Sequence, residues 1–489
     1  MKINRIITKW LAPVALAALN LQSPMAFGGL MFPIVTNDTV ATGFSATCAG
    51  TNYLVGIQGD IVSIGTNGDG NSYQVTAQLF GQDGTPVGGR IKPVPGHTGG
   101  NPFAATSGTN LLLVWPDDYS DGVHYFGGNI MAQLLNPSGA LIGSWFPITT
   151  NSEELGGFAY GAGKYLVTWN DYRNGMNWAV YGQFISSTGA PVGNNFFISD
   201  IAPDFSQDRE PGPGVAFDGT NFLVVWQISY LMGNSTNHNV TYGVFISPTG
   251  TMGMPFAISQ ADSPNDGPLN LVFNGSNYLV VWPHDTGLGG TNQEVYNIYG
   301  RFVTPSGTFP GNEFAIVTNG NPNFPGLAFD GANYLLCWNV NGGATNSNIQ
   351  CEFLNASGQP MGPQFTPFSA KGSAVPLVSR PIYDGKRFVI VTSLSASGFT
   401  PTNNAAIYGA FIPASTARPQ FSSSASYTNK QFSLSLTGTP GINYAIQAAT
   451  NLPASNWMPL VTNSPTNGAF SFTDTGATNR SRFYRAVKQ

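Results

Sequence analysis

Short apolar runs, each bounded by a small polar cluster that contains Gly, recur along the chain, and one of them returns almost unchanged. FDGTNFLVVW at 217 to 226 reappears as FNGSNYLVVW at 273 to 282 and as FDGANYLLCW at 329 to 338. Looser copies are CAGTNYLVGI at 48 to 57, TSGTNLLLVW at 106 to 115, YGAGKYLVTW at 160 to 169 and YDGKRFVIVT at 383 to 392. Their last positions fall at 57, 115, 169, 226, 282, 338 and 392, so the spacing stays between 54 and 58 residues. A fixed period of this size signals a propeller or a solenoid.

A second pattern follows within each period, as in VYGQFISSTGAPVGNNFFI at 180 to 198, TYGVFISPTGTMGMPFAI at 241 to 258 and IYGRFVTPSGTFPGNEFAI at 298 to 316. Each unit therefore reads as four short strands, a to d. In the copy at 268 to 316, strand a is Leu269 to Phe273, the turn is Asn274 to Asn277, and strand b is Tyr278 to Trp282. Strand c is Ile298 to Thr304 and strand d is Glu313 to Ile316. Asp-Gly and Asn-Gly between apolar runs supply the positive φ that tight hairpins require. Four antiparallel strands per period make a propeller blade.

The last unit has strands a, b and c, with IYGAFI at 407 to 412, but no following Phe-x-Ile segment. MFPIVTN at 31 to 37 matches WFPITTN at 145 to 151 and EFAIVTN at 313 to 319, so the N-terminal stretch can serve as the missing strand. Joining the two chain ends removes the exposed edges an open array would leave. The expected fold is all-β: a seven-bladed β-propeller over 31 to 412, closed by an N-terminal strand, with an open solenoid as the alternative. After Ile412 a Pro/Ser/Thr-rich connection, 413 to 430, leads into alternating segments that do not match the repeat. Residues 431 to 489 read as a small C-terminal β-sandwich. The regular tryptophans Trp115, Trp169, Trp226, Trp282 and Trp338 at the end of strand b are expected in the core rather than against a ligand.

Composition narrows the function. Only 9% of the residues are charged, against roughly 25% in an ordinary soluble chain, while 12% are aromatic and there are 60 Gly and 35 Pro. Such a chain can bury a large core and favours strands over helices. A net charge of -5 offers no basic stripe for nucleic acid. Lys2, Arg5 and Lys9, then an apolar stretch and a small-residue site at Ala26, read as a secretory signal peptide over 1 to 26. The apolar stretch is too short for a transmembrane anchor. Secretion to the extracellular space or a bacterial cell surface is the expected localisation. Three cysteines are few for an exported chain. Cys337 and Cys351 lie on neighbouring strands and can either pair or serve as small buried hydrophobes, the latter being expected.

The repeats resemble a family of exported bacterial tandem-repeat proteins, with a consensus like Pro-x-Val-Ala-Phe-Asp-Gly-Thr-Asn-Tyr-Leu-Val-Val-Trp, then Ile-Tyr-Gly and Phe-x-Ile. The likeness covers about residues 31 to 412. GINYAIQAATNLPASNWMPL at 441 to 460, with RFYRA at 482 to 486, is similar to a C-terminal module of secreted proteins from environmental bacteria. Both resemblances imply architecture more than chemistry. Repeats of this family often carry Trp-x-Asp-x-Arg after strand b. Trp169, Asp171 and Arg173 match in full, and Trp115 to Asp117 and Trp282 to Asp285 in part.

The a-to-b and c-to-d turns lie at one end of the blades, and the long, variable b-to-c and d-to-a connections lie at the other. Function concentrates on variable loops held by a rigid scaffold. The ligand-binding candidates there are Asp117, Asp118, Asp171, Tyr172, Arg173, Asp208, Arg209, Glu210, His284 and Asp285, with Glu153 and Glu154 nearby. His97, His124, His238 and His284 lack zinc-site spacing, so no metal and no cofactor is expected; calcium held by Asp and carbonyl oxygens is the exception kept open. There is no nucleophile elbow or phosphate loop. These features lead first to a secreted, non-enzymatic binding or structural protein that recognises a glycan or a cell-surface protein through the variable loop face, with no catalytic residue named. The alternative is a polysaccharide hydrolase or lyase at the central opening, using two carboxylates of opposite protonation.

Overall fold

The computed structural model describes residues 31–38, 44–63, 72–94, 99–120, 125–150, 152–171, 173, 179–200, 212–231, 237–259, 269–286, 295–341, 346–371, 377–378, 380–395, 405–414, 419–421, 426–428, 431–439, 442–450, 456–464, 469–477 and 482–489. Among them every regular element is a strand.

Six four-stranded antiparallel sheets follow one another in chain order, over 44–91, 103–149, 152–200, 214–257, 270–317 and 322–371, each in the order a, b, c, d. The next sheet takes Leu377–Val378, Ile382–Tyr383, Arg387–Ser395 and Ala405–Pro413 from the end of the repeats. Its outermost strand is Met31–Asp38, which pairs with Ala405–Pro413 through Met31 opposite Ala410 and Phe32 opposite Gly409. Gly409 is required there, because a Cβ would lie 2.3 Å from the Phe32 ring.

Apolar residues alternate to both faces of strand b, so each sheet buries one face against its predecessor and one against its successor. Leu112, Val114, Val167 and Trp169 join the second and third sheets. Leu223, Val225, Val280 and Trp282 do the same for the fourth and fifth. Phe32, Ile34, Val389 and Val391 pack against Tyr53, Val55 and Phe80, joining the last sheet to the first. Sheets stacked face to face in this manner form a β-propeller. The recurrent tryptophans are core residues: Trp169, Trp226, Trp282 and Trp338 are all at most 1% exposed.

The Asp-Gly-x-Asn turns between strands a and b have a double role. Asp218 Oδ1 accepts from the backbone N–H groups of Thr220 and Asn221, each at 2.7 Å, while Gly219 takes φ of 97°. Asn274, Asp330 and Asp384 repeat the arrangement. The turn also meets the next sheet: Tyr278 donates its hydroxyl to Asn221 O at 3.1 Å, and Tyr165 to Asn110 O at 3.2 Å. At the seam between the last sheet and the first, Tyr53 donates to Asp384. A longer reach accompanies these contacts, with Lys164 Nζ donating to Pro248 O at 2.9 Å, Asn110 Nδ2 to Ser187 O at 3.2 Å, and Arg387 Nη2 to Gln82 O across the seam.

One position of strand c carries a polar side chain into a buried place. Gln78, Gln133 and Gln183 each donate through Nε2 to three backbone carbonyls, one on strand c and two on the bulged strand d. The fifth sheet has Arg301 there and the sixth has Glu352.

After Ala414 the chain forms two further sheets. One pairs Gln431–Thr437 with Gln420–Phe421, Ser426–Thr428 and Ala469–Asp474; the other places Tyr444–Ala449 between Met458–Asn463 and Phe483–Lys488. Phe421, Leu434, Leu436, Ile442, Tyr444 and Tyr484 join one continuous apolar cluster with Phe353, Phe388, Ile390 and Ile412 of the propeller. Thr439 Oγ1 donates to Ala414 O at 2.8 Å across this junction. Within the module, Asp474 is buried and accepts from Tyr484 OH at 2.9 Å and pairs with Arg482 at 2.6 Å.

Cys337 and Cys351 face each other on strands b and c of the sixth sheet and form a disulfide. The expectation of two unpaired buried hydrophobes is corrected by direct cross-strand opposition, which brings their Cα atoms to 4.1 Å. Cys48 is a free thiol, and burial pushes it up to about 11.

Candidate active site

Strand b runs beyond its tryptophan toward the end where the long connections lie. In the fifth sheet it extends to Asp285, three residues past the boundary read from the sequence. Extra ladder pairs explain this, because Pro283, His284 and Asp285 lie opposite Ile298, Asn297 and Tyr296.

Asp171 is fully buried at the end of strand b of the third sheet. It accepts from Trp169 Nε1 at 2.9 Å, from Arg173 N at 2.7 Å, from Arg173 Nε at 2.8 Å and from Arg173 Nη2 at 2.5 Å. Arg173 in turn donates to Thr149 Oγ1 of the second sheet at 2.8 Å and to Asn195 Oδ1 at 3.3 Å. Its guanidinium lies 4.3 Å from the Tyr181 ring centroid. The Trp-x-Asp-x-Arg pattern is thus a clamp that satisfies a buried indole N–H, neutralises a buried carboxylate and ties two sheets together. Where Asp171 stands in the third sheet, the fourth and sixth have Ile228 and Val340. The buried indole N–H groups of Trp226, Trp282 and Trp338 have no partner among the described residues.

In the fifth sheet Asp285 is buried and accepts from Val295 N at 3.4 Å. His284 beside it is half-buried, with its ring centroid 4.7 Å from that of Tyr299. Burial holds the imidazole below its ordinary value, opposed by the nearby charges of Glu313 and Asp285. Glu313 also faces Arg301, whose Nη1 donates to Ile258 O at 2.5 Å and whose guanidinium stacks 3.7 Å from Phe309. Neither Glu313 nor Arg301 was among the sequence candidates. The signal was present, since Arg301 breaks the Gln pattern of strand c.

Asp117 is half-buried near the end of Leu111–Ser120, opposite Asn129, and Asp118 follows on the same strand. Glu154 lies opposite Asn170, and Glu153 precedes it on the same strand. His238 lies opposite Tyr230. Tyr172, Asp208, Arg209, Glu210, His97 and His124 lie outside the described residues. The structure thus brings Asp171 together with Arg173, and His284 with Asp285 and Glu313. Among the described residues no group of three or more His, Cys, Asp or Glu is arranged to hold a metal ion.

No family model and no curated protein matches the chain. Solved structures do match. A protein of unknown function from Dyadobacter fermentans is 10% identical, with 78% of this chain and 98% of that one covered, at a TM-score of 0.46. The endosialidase of phage phi92 is 10% identical over 82% of this chain and 71% of its own, at 0.45. An α-L-arabinanase of Penicillium chrysogenum is 12% identical over 62% and 90%, at 0.36. An exo-β-1,3-galactanase and a xylan β-1,4-xylosidase also match. At these identities the likeness is one of fold. Several of these structures are glycoside-cleaving enzymes, the class of the alternative expectation and not of the non-enzymatic binder placed first.

Proposed function

We propose that this chain is an exported polysaccharide hydrolase, built as a seven-bladed β-propeller with a C-terminal β-sandwich and acting where the long connections gather round the central opening. The carrying observation is the placement of Asp117 and Asp285. Both stand near the loop end of strand b, on the second and fifth sheets, and a closed ring of seven would set them on different sides of its opening. Glycoside cleavage needs a proton donor and a carboxylate on opposite sides of the bond. Asp117 and Asp285 supply the two carboxyl groups that such a pair requires. Asp171 is excluded from both roles by its clamp.

The signal-peptide pattern of 1 to 26 supports export, as does the Cys337–Cys351 disulfide, a bond that persists in oxidising compartments. The likeness of the repeats to exported bacterial tandem-repeat proteins supports the same reading. The test is sugar release from a panel of plant and bacterial polysaccharides. Reducing ends without unsaturated products are expected, and Asp117→Asn and Asp285→Asn should each slow release by about 10²–10⁴-fold. Unsaturated ends would replace hydrolysis with elimination. No release from any polysaccharide, or full activity in both variants, would remove the proposal.

A further inference from the structure

The end of the propeller opposite the candidate active site carries a cavity that the proposed reaction does not use. It has a volume of about 390 Å³ and is lined by Gln82, Lys386, Arg387, Phe411 and Pro413. Gln82 comes from the c-to-d turn of the first sheet and the other four from the last sheet, so the cavity sits on the seam where the chain ends meet. No corresponding pair of cations stands in the other a-to-b turns, which read Gly-Thr-Asn, Gly-Ser-Asn, Gly-Ala-Asn and, in the third sheet with its single Lys164, Ala-Gly-Lys, where this one reads Gly-Lys-Arg.

Arg387 is held in place from several sides. Its guanidinium stacks 3.5 Å from the Phe411 ring centroid, Nη2 donates to Gln82 O and lies 3.3 Å from Tyr53 OH, and Nε is 3.5 Å from Asp384 Oδ2. Asp384 is itself occupied, accepting from Tyr53 OH and from the backbone N–H groups of Lys386 and Arg387. That leaves Arg387 Nη1 with no hydrogen bond to a described residue. The side chain of Lys386 is exposed and likewise has no ion-pair partner among the described residues. The site therefore combines the one remaining guanidinium nitrogen of Arg387 and the exposed ammonium of Lys386 with an apolar wall formed by Pro413 and the accessible rim of Phe411. A carboxylate can accept from Arg387 Nη1 through one oxygen and from the Lys386 ammonium through the other. The hydrocarbon lining suits the C–H face of a ring better than an inorganic ion. A cavity of this size lies at the low end of ligand pockets and holds one ring rather than a chain.

We infer that the seam cavity is a binding site for a uronate, a single sugar ring bearing a carboxylate, held by Lys386 and Arg387 beside Pro413 and the rim of Phe411. It is separate from the loop end and does not depend on the hydrolase reading. Calorimetric titration of the full chain with glucuronate tests it, with glucose and inorganic phosphate as comparison probes. Glucuronate should bind, more weakly as salt rises, and glucose should not. Lys386→Gln should weaken glucuronate binding about tenfold or more while leaving the melting temperature unchanged, since this side chain is exposed. Absence of glucuronate binding, equal binding of glucose, equal binding of phosphate, or an unaltered affinity in Lys386→Gln would each overturn the assignment. Loss of sugar release in Asp117→Asn or Asp285→Asn bears only on the opposite end.

Discussion

Replacing Glu352 by Gln should stabilise the protein above neutral pH and leave it unchanged in acid. Glu352 is buried on strand c of the sixth sheet, where the first three sheets have Gln78, Gln133 and Gln183. Gln364 Nε2 reaches its Oε2 at 3.4 Å, and no charged group compensates it. Burial pushes the carboxyl up from its ordinary 4.5 to about 7. In the unfolded chain the proton leaves near 4.5, whereas in the folded protein it stays until about 7. Between these values the folded state holds the extra proton, so each rise of one pH unit costs it about 1.4 kcal/mol relative to the unfolded chain. The accumulated penalty levels off at about 3 kcal/mol above pH 7 as an upper figure, and it vanishes below about pH 4.5. Glu352→Gln removes the ionisation and keeps the shape. Urea unfolding across pH 4 to 8 should show a midpoint advantage for the variant that opens between about pH 5 and 7. A difference independent of pH, or a wild type more resistant at pH 8, would refute the argument.

Other consequences follow from the clamp, the seam, the disulfide and the C-terminal module. Asp171→Ala should lose about 3–5 kcal/mol, because it strands a buried indole N–H and uncouples Arg173, and chemical denaturation reads this directly; a stable variant that loses only catalysis would return Asp171 to the active site. Phe32→Ala should cost about 3–5 kcal/mol in the same assay, since the ring packs on Phe80 and Phe411 at centroid distances of 5.4 and 4.5 Å. Unchanged melting would count against closure through the N-terminal strand. Alkylation of the denatured protein should modify one cysteine before reduction and three after, and replacing Cys337 and Cys351 by Ser should cost about 3 kcal/mol for a loop of 14 residues. Truncation after Ala414 should lower the melting temperature and promote aggregation, because it uncovers Ile412, Ile390 and Phe388; an unaltered melting curve would show that the shared cluster contributes nothing.

The repeat could be read from the chain because it is local. Strand alternation, the turn Asp or Asn that accepts from two N–H groups, and the positive-φ Gly beside it are decided within a few residues, and their recurrence exposes the sheets one by one. The matching of MFPIVTN to the strand-d segments was legible for the same reason, although its partner strand, Ala405–Pro413, lies at the far end of the repeats. Other relations are invisible in a linear pattern. Asp171 read as a ligand-binding candidate, yet it is fully buried and accepts from an indole two residues earlier and an arginine two residues later.

By itself the sequence determined the strand-rich composition, the period, the turn chemistry and the end of the sheets where the variable segments gather, since each depends on near neighbours and on side-chain alternation. Tertiary structure decided the rest: that Cys337 faces Cys351, that Arg387 crosses the seam to Gln82, that Glu352 is buried without a compensating charge, and that the C-terminal module shares a core with the sixth and last sheets. These are meetings of residues distant along the chain. Their energies come from desolvation and contact in three dimensions, quantities that have no value until the sheets are stacked.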